Sequence, residues 1–146
     1  MWDFLGETLN TLYTYYDIMK KTRYSRYQIN YHFVWIPKYR RDVLTGEIRD
    51  SLDEIIRGII DRMDGEVLSI EIQPDHVHLF VSMRPKYSPA KIINAVKGAS
   101  SRKLRNRHPE LKEMGDKLWT RTYYVGTAGK VSDKTIRRYI EECQGT

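Results

Sequence analysis

The chain has 146 residues, a net charge of +6 and a pI of about 9.4, which suits one domain with its own core and a polyanionic partner, either nucleic acid or an anionic membrane surface. No run of about 18 apolar residues is present to span a bilayer, and the start, MWDFLGETLN, lacks the basic-then-apolar order of a signal peptide. The single cysteine, Cys143, excludes an internal disulfide and a Cys-rich zinc site and is compatible with a reducing cytosol; no G-x-x-x-x-G-K-[ST] run points to a nucleotide-powered step.

In chain order, Leu5, Leu9, Leu12, Tyr16 and Met19 fall at helical spacing, which predicts a short amphipathic helix over 5–19 or, alternatively, a loosely attached arm. Residues 27–36, YQINYHFVWI, alternate. Ile29, Tyr31, Phe33 and Trp35 make one face of a strand, and Gln28, Asn30, His32 and Val34 the other. Pro37 ends the strand, and the basic loop Lys38-Tyr39-Arg40-Arg41 follows. Leu52, Ile55, Ile56, Ile59, Ile60 and Met63 predict an amphipathic helix over 51–63, stopped by Asp64-Gly65. Residues 66–72 read as a strand with Leu68, Ile70 and Ile72 on its apolar side. Gln73-Pro74-Asp75 then leads tightly into a third strand, DHVHLFVS, at 75–82. Ser88-Pro89 opens a helix running to about Arg107, with Ile92, Val96 and Ala99 inward. Residues 118–125, LWTRTYYV, read as a fourth strand, Gly126 to Gly129 as a flexible joint, and 133–143 as a last helix capped by Ser132.

The order β-α-β-β-α-β-α begins with the six elements of an α+β, ferredoxin-like (split βαβ) arrangement, an antiparallel sheet with two helices on one face. The other face is then left to polar strand residues, among them Asn30, His32, Glu71, His76 and His78. His76 and His78 point the same way along their strand, opposite to Val77, Leu79 and Val81. Two imidazoles so placed are able to grip one metal ion, although two half-exposed strand histidines would look the same in sequence. On the last helix Ile136, Ile140 and Cys143 form a narrow apolar stripe. Tyr139 borders it, and by itself reads as an amphipathic packing residue. The clusters Lys38, Tyr39, Arg40, Arg41 and Arg102, Lys103, Arg105, Arg107 suit phosphate contact or a solvated face, with Tyr39, Tyr123 and Tyr124 as candidate base-stacking groups.

Taken together, YQINYHFVWIPK (27–38), KYRR (38–41), PDHVHLFV (74–81), WTRTYYVGTAG (119–129) and YIEE (139–142) resemble, in this order, the single-tyrosine HUH transposases. These are the TnpA-type enzymes of minimal bacterial and archaeal insertion sequences, and the resemblance runs from about Met19 to Gln144. It implies a domain over 19–146 behind an N-terminal extension, 1–18. It implies that His76, His78 and a helical glutamine hold one Mg²⁺ or Mn²⁺. Tyr139 would then attack single-stranded DNA to give a 5′-phosphotyrosine and a free 3′-OH. The implied substrate is an imperfect DNA hairpin at each element end. The implied assembly is a cytoplasmic, nucleoid-associated homodimer, joined through 118–125, with active sites shared between subunits and no membrane partner.

One position departs from the family pattern. The glutamine belongs four residues after the tyrosine, on the same helical face. Here Cys143 stands there and Gln144 follows. An ideal helix turns about 100° per residue, so Gln144 points away from Tyr139 unless the last turn frays. Gln144 is the favoured third ligand, with Glu142 and Glu71 as rivals, while a thiol at Cys143 matches Mg²⁺ poorly. Two other functions remain in view: a non-catalytic nucleic-acid binding domain on the same fold, and a relative that processes chromosomal repeat hairpins.

Overall fold

A computed structural model describes residues 19–127 and 133–143. Two two-residue strands, β1 (Lys20–Lys21) and β2 (Arg26–Tyr27), pair as a small hairpin, and the strand expected over 27–36 starts only at Asn30. The main sheet holds β3 (Asn30–Trp35), β4 (Glu66–Gln73), β5 (His76–Ser82) and β6 (Tyr124–Gly126) in the order β4-β5-β3-β6, with every pairing antiparallel. Helices α1 (Gly46–Arg62) and α2 (Pro89–Arg107) pack on one face, and α3 (Asp133–Cys143) lies against the other. This is the expected α+β, ferredoxin-like arrangement.

The core forms where the odd side of β3 and β5 meets the helices. Phe33, Trp35, Val77, Leu79 and Val81 are fully buried there against Leu52, Ile56 and Ile60 of α1 and Ile92, Ile93 and Val96 of α2. Ser88 accepts a hydrogen bond from the Lys91 amide at 3.1 Å, so the serine caps α2 as its sequence implies. At the end of α1 Asp64 takes a left-handed φ of 56°, and the Gly65 amide reaches back to the Ile60 carbonyl at 3.0 Å. A Cβ at Gly65 would stand 2.5 Å from the Met83 sulfur, which explains a glycine at this stop.

Four expectations change. Helix α1 begins at Gly46, before the first strongly apolar turn, because Ile48 still reaches the core. In β4 the register slips between Val67 and Ser69, so Val67 faces Val81 on the core side. Leu68, expected inside, is 41% exposed, since a bulge adds one residue and breaks the period of two. The strand expected over 118–125 is divided. Trp119 bridges Pro37, and the Thr120 amide donates to Ile36; the chain then leaves the sheet until Tyr124. Over this departure Lys97 on α2 takes up the freed carbonyls: its Nζ donates to those of Thr120 (2.6 Å) and Thr122 (3.1 Å), in place of ladder partners. Finally, Gly126 is a strand residue and not part of a joint. A Cβ there would meet the Tyr124 hydroxyl at 2.8 Å, so the glycine makes room for that side chain. The helix expected over 5–19 (save Met19), the Ser132 cap and Ala128-Gly129 lie outside the described residues.

Candidate active site

The face of the sheet opposite the core is set by the same alternation. In register, His78 stands between Val34 of β3 and Glu71 of β4, and His76 stands opposite Gln73. His32 is opposite Phe80, one step along the same face. His76, His78, Glu71 and Gln73 are therefore brought together as expected, with Gln73 added.

Each histidine already has a partner on one ring nitrogen. Nδ1 of His76 lies 2.9 Å from Oδ1 of Asp75. A carboxylate oxygen accepts, so this nitrogen is the donor, and in the neutral ring the lone pair belongs to Nε2. Behind Asp75 stands Arg40, its Nε 3.7 Å from the second carboxylate oxygen. Nε2 of His78 lies 3.0 Å from Nδ1 of His32. Glu71 accepts from the Gln73 side-chain amide at 2.9 Å. A cleft of about 420 Å³ opens here, lined by Arg40, Glu71, Gln73, Asp75 and His76, and by Arg137, Ile140 and Glu141 from α3. Two imidazoles with oxygen donors alongside make a donor set suited to a borderline-to-hard divalent ion. Among the described residues no three His, Cys, Asp or Glu side chains converge as a ready-made cage.

Helix α3 crosses this face on its own sheet. Ile140 is buried against Val34 and Ile36, with Tyr124 and Tyr139 at the edge of that small cluster. Tyr139 turns toward β6 and is not among the residues lining the cleft. Its hydroxyl lies 3.2 Å from that of Thr122, and its ring centroid 6.5 Å from that of Tyr124. The same helix offers the cleft Arg137 and Glu141 instead. Of the rival third ligands, Glu142 is held by Arg138 at 2.8 Å on the exposed side, whereas Glu71 lines the cleft. Gln144 lies outside the described residues.

The basic clusters separate by environment. Tyr39 and Arg40 take positive φ values of 61° and 48° in a tight turn over Lys38–Arg40. That turn leaves Tyr39 56% exposed, with Lys38 and Arg41 each 5.6 Å from its ring centroid. On α2, Arg105 donates to the Gly115 and Asp116 carbonyls and closes the loop after the helix, while Arg107 leans to Glu54 at 3.4 Å. Desolvation first, then the Arg62, Arg102 and Arg107 guanidiniums, push Lys103 below the ordinary lysine range. A groove of about 480 Å³ beside α2 is lined by Lys97, Arg102, Arg105, Lys112, Lys117 and Arg121, with Trp119 at its floor and no acidic residue among its lining side chains. Burial pushes Lys97 down to about 8. Of the expected stacking groups, Tyr123 packs against the core and Tyr124 joins the Ile140 cluster.

The sequence reading missed Gln73, Asp75, Arg137 and Glu141 as lining residues, and Lys97 and Thr122 as the support under Tyr139. Asp75 carried a signal, its place next to His76. The others depend on register and helix rotation, which the sequence does not print.

The family model for IS200-like transposases matches residues 25–143. The ISDra2 transposase TnpA of Deinococcus radiodurans is 41% identical over 125 residues, covering 84% of this chain and 89% of that protein. The transposase for insertion sequence element IS200 of Salmonella typhimurium is 34% identical over 124 residues, covering 84% and 81%. A crystal structure from Deinococcus radiodurans described as that of a transposase superposes with a TM-score of 0.79 at 36% identity, covering 85% of this chain and 97% of that one. A REP-associated tyrosine transposase bound to a REP hairpin shares the fold alone, with a TM-score of 0.53 at 14% identity over 83% and 69% of the two chains. A family model matched from the first sheet strands to the end of α3, and relatives aligned over most of both lengths, place the chain in one group: it belongs to the IS200-like transposases, the TnpA-type transposases of insertion sequences.

Proposed function

We propose that the protein cleaves and rejoins single-stranded DNA at insertion-sequence ends through a 5′-phosphotyrosine on Tyr139. The observation that carries this reading is the His76–His78 pair on a sheet face crossed by the helix that bears Tyr139. Family membership supports transposition, and relatives named for insertion sequences favour element ends over chromosomal repeats. His76 and His78 would hold Mg²⁺ or Mn²⁺, with Gln144 or Glu71 as third ligand. Such an ion polarises a phosphate and absorbs charge developing in the transition state.

The residues then divide the work. The Tyr139 oxygen attacks phosphorus and forms the new P–O bond, the bond to the 3′ oxygen breaks, and the phenol proton is replaced at the leaving oxygen as a 3′-OH. The phosphodiester energy stays in the tyrosyl ester, so rejoining needs no nucleotide. Asp75 fixes the His76 ring, and Arg40 stands behind it. The groove along α2 supplies cations for the backbone of a folded single strand, and the hairpin in the distant fold relative is consistent with such a substrate. Exposed Tyr39, between two cations, suits stacking on an unpaired base.

We further propose a homodimer in which Tyr139 serves the partner's histidines. Within the chain the Tyr139 hydroxyl meets that of Thr122 while His76 lines the cleft, and shared use requires the helix to cross to the partner. The terminal strand β6 of the sheet order is the contact this reading favours. Complementation tests it. Tyr139→Phe protein and His76→Ala/His78→Ala protein are each expected to bind a labelled hairpin and form no covalent adduct. After subunit exchange the mixture is expected to recover one functional site in each heterodimer. A mixture that stays inactive, while wild type forms the adduct, rejects sharing; an adduct on Tyr123 or Tyr124 rejects the nucleophile. In the same binding assay Arg102→Ala or Lys117→Ala should lower the slope of log affinity against log salt by about one.

A further inference from the structure

The chemistry above leaves one buried imidazole without a role. His32 on β3 is 3% exposed. Its ring stacks on Phe80, with centroids 4.0 Å apart and planes 7° apart, so its orientation is fixed by packing. Its Nδ1 lies 3.0 Å from Nε2 of His78. The register makes this contact diagonal: His32 pairs with Phe80, and Val34 with His78. The two rings are accordingly tilted, 38° between planes with centroids 5.2 Å apart.

We propose that His32 is a positioning residue for His78, which accepts the Nε2–H of His78 and so sets the ring's orientation and tautomer for holding a divalent ion. This rests on the metal reading under Proposed function. One proton lies between the two nitrogens. If His32 supplied it, neutral His78 would accept at Nε2 and keep its own proton on Nδ1, and neither nitrogen would offer a lone pair to a metal. If His78 supplies it, the lone pair belongs to Nδ1, and the ring is a competent ligand with the hydrogen bond intact. Metal-binding imidazoles generally donate their second N–H to a fixed acceptor. Asp75 is that acceptor for His76, and His32 is its counterpart for His78. The two acceptors differ usefully. Asp75 is partly open to water and backed by Arg40, whereas a carboxylate at the position of His32 would bury a charge among Phe80 and the strands. A neutral imidazole orients His78 without that cost.

The test uses the full chain and Mn²⁺ alone, with affinity measured by electron paramagnetic resonance. His32→Phe keeps the stack on Phe80 and removes the acceptor; it should weaken Mn²⁺ binding about 10–100-fold while unfolding cooperatively and binding the hairpin as wild type does. His32→Asn returns an amide oxygen near the Nδ1 position and should recover most of that loss. Nitrogen NMR of the metal-free wild type should show His78 protonated at Nε2, and His32→Phe should lose that single tautomer. A wild-type His78 protonated at Nδ1 overturns the proposal without any variant. Unchanged Mn²⁺ affinity in folded His32→Phe, with His78→Ala deficient, overturns the role of His32 alone. Unchanged affinity in His78→Ala overturns the metal reading beneath it.

Discussion

The two faces of one sheet are built on opposite terms. The face under α1 and α2 is dry and continuous, from Trp35 and Phe33 through Val77, Leu79 and Val81 to Ile56 and Ile93. The face under α3 carries three imidazoles, an acid and an amide, and among the described residues its apolar part is Phe80, stacked on His32, and the small cluster of Val34, Ile36 and Ile140 with two tyrosines at the edge. The difference teaches where stability and chemistry are kept apart. The first face holds the strands rigid, so their polar side chains are positioned without needing cover. The second is covered by a helix of 11 residues, a length that is marginal in isolation, whose buried apolar side chain among the described residues is Ile140.

Truncation on each face breaks this contrast if it is wrong. Trp35→Ala should cost about 3–5 kcal/mol in chemical denaturation, because Trp35 is fully buried and stands edge-on to Trp119 at 5.9 Å. Ile140→Ala should cost less than about 1 kcal/mol globally, yet amide exchange over 133–143 should rise well beyond that of β3 and β5. A global loss for Ile140→Ala as large as for Trp35→Ala would mean that α3 is part of the core and not a lightly docked arm.

A smaller effect sharpens the link between the faces. Lys97 rises from α2 to the carbonyls of Thr120 and Thr122, and the Thr122 hydroxyl meets that of Tyr139. Burial lowers Lys97 to about 8 in the folded protein, against an ordinary value of 10.5. Between these values the unfolded chain binds more protons, so stability should rise with pH from about 8 to about 10.5; below 8 both states are protonated and the unfavourable term is constant. Solvent at the half-buried ammonium reduces its size. The rise should appear in the difference between wild type and Lys97→Met, measured by urea denaturation across that window. Equal curves would show that Lys97 is no more desolvated than a surface lysine.

Much of the site could be read in the chain because a strand has a period of two. That period alone put His76 and His78 on one side and Val77, Leu79 and Val81 on the other, and it put His32 with the histidines. It failed at Leu68, where a bulge inserts a residue, and at 121–123, where a lysine from another element captures two carbonyls. Neither a bulge nor a distant donor leaves a mark in local alternation.

The amino-acid sequence by itself determined most of the main strands and helices, the polar identity of the second face and the place of His32, Glu71, His76 and His78 on it, because side-chain direction and hydrophobic period are local properties of the backbone. Only the tertiary structure decided which histidine nitrogen meets which partner, that Asp75 meets His76 and His32 meets His78, that the cations along α2 converge on one groove, and that Tyr139 turns toward Thr122 while Arg137 and Glu141 face the cleft. Those facts depend on cross-strand register and on the rotation of a docked helix, both set by contacts between residues far apart in the chain.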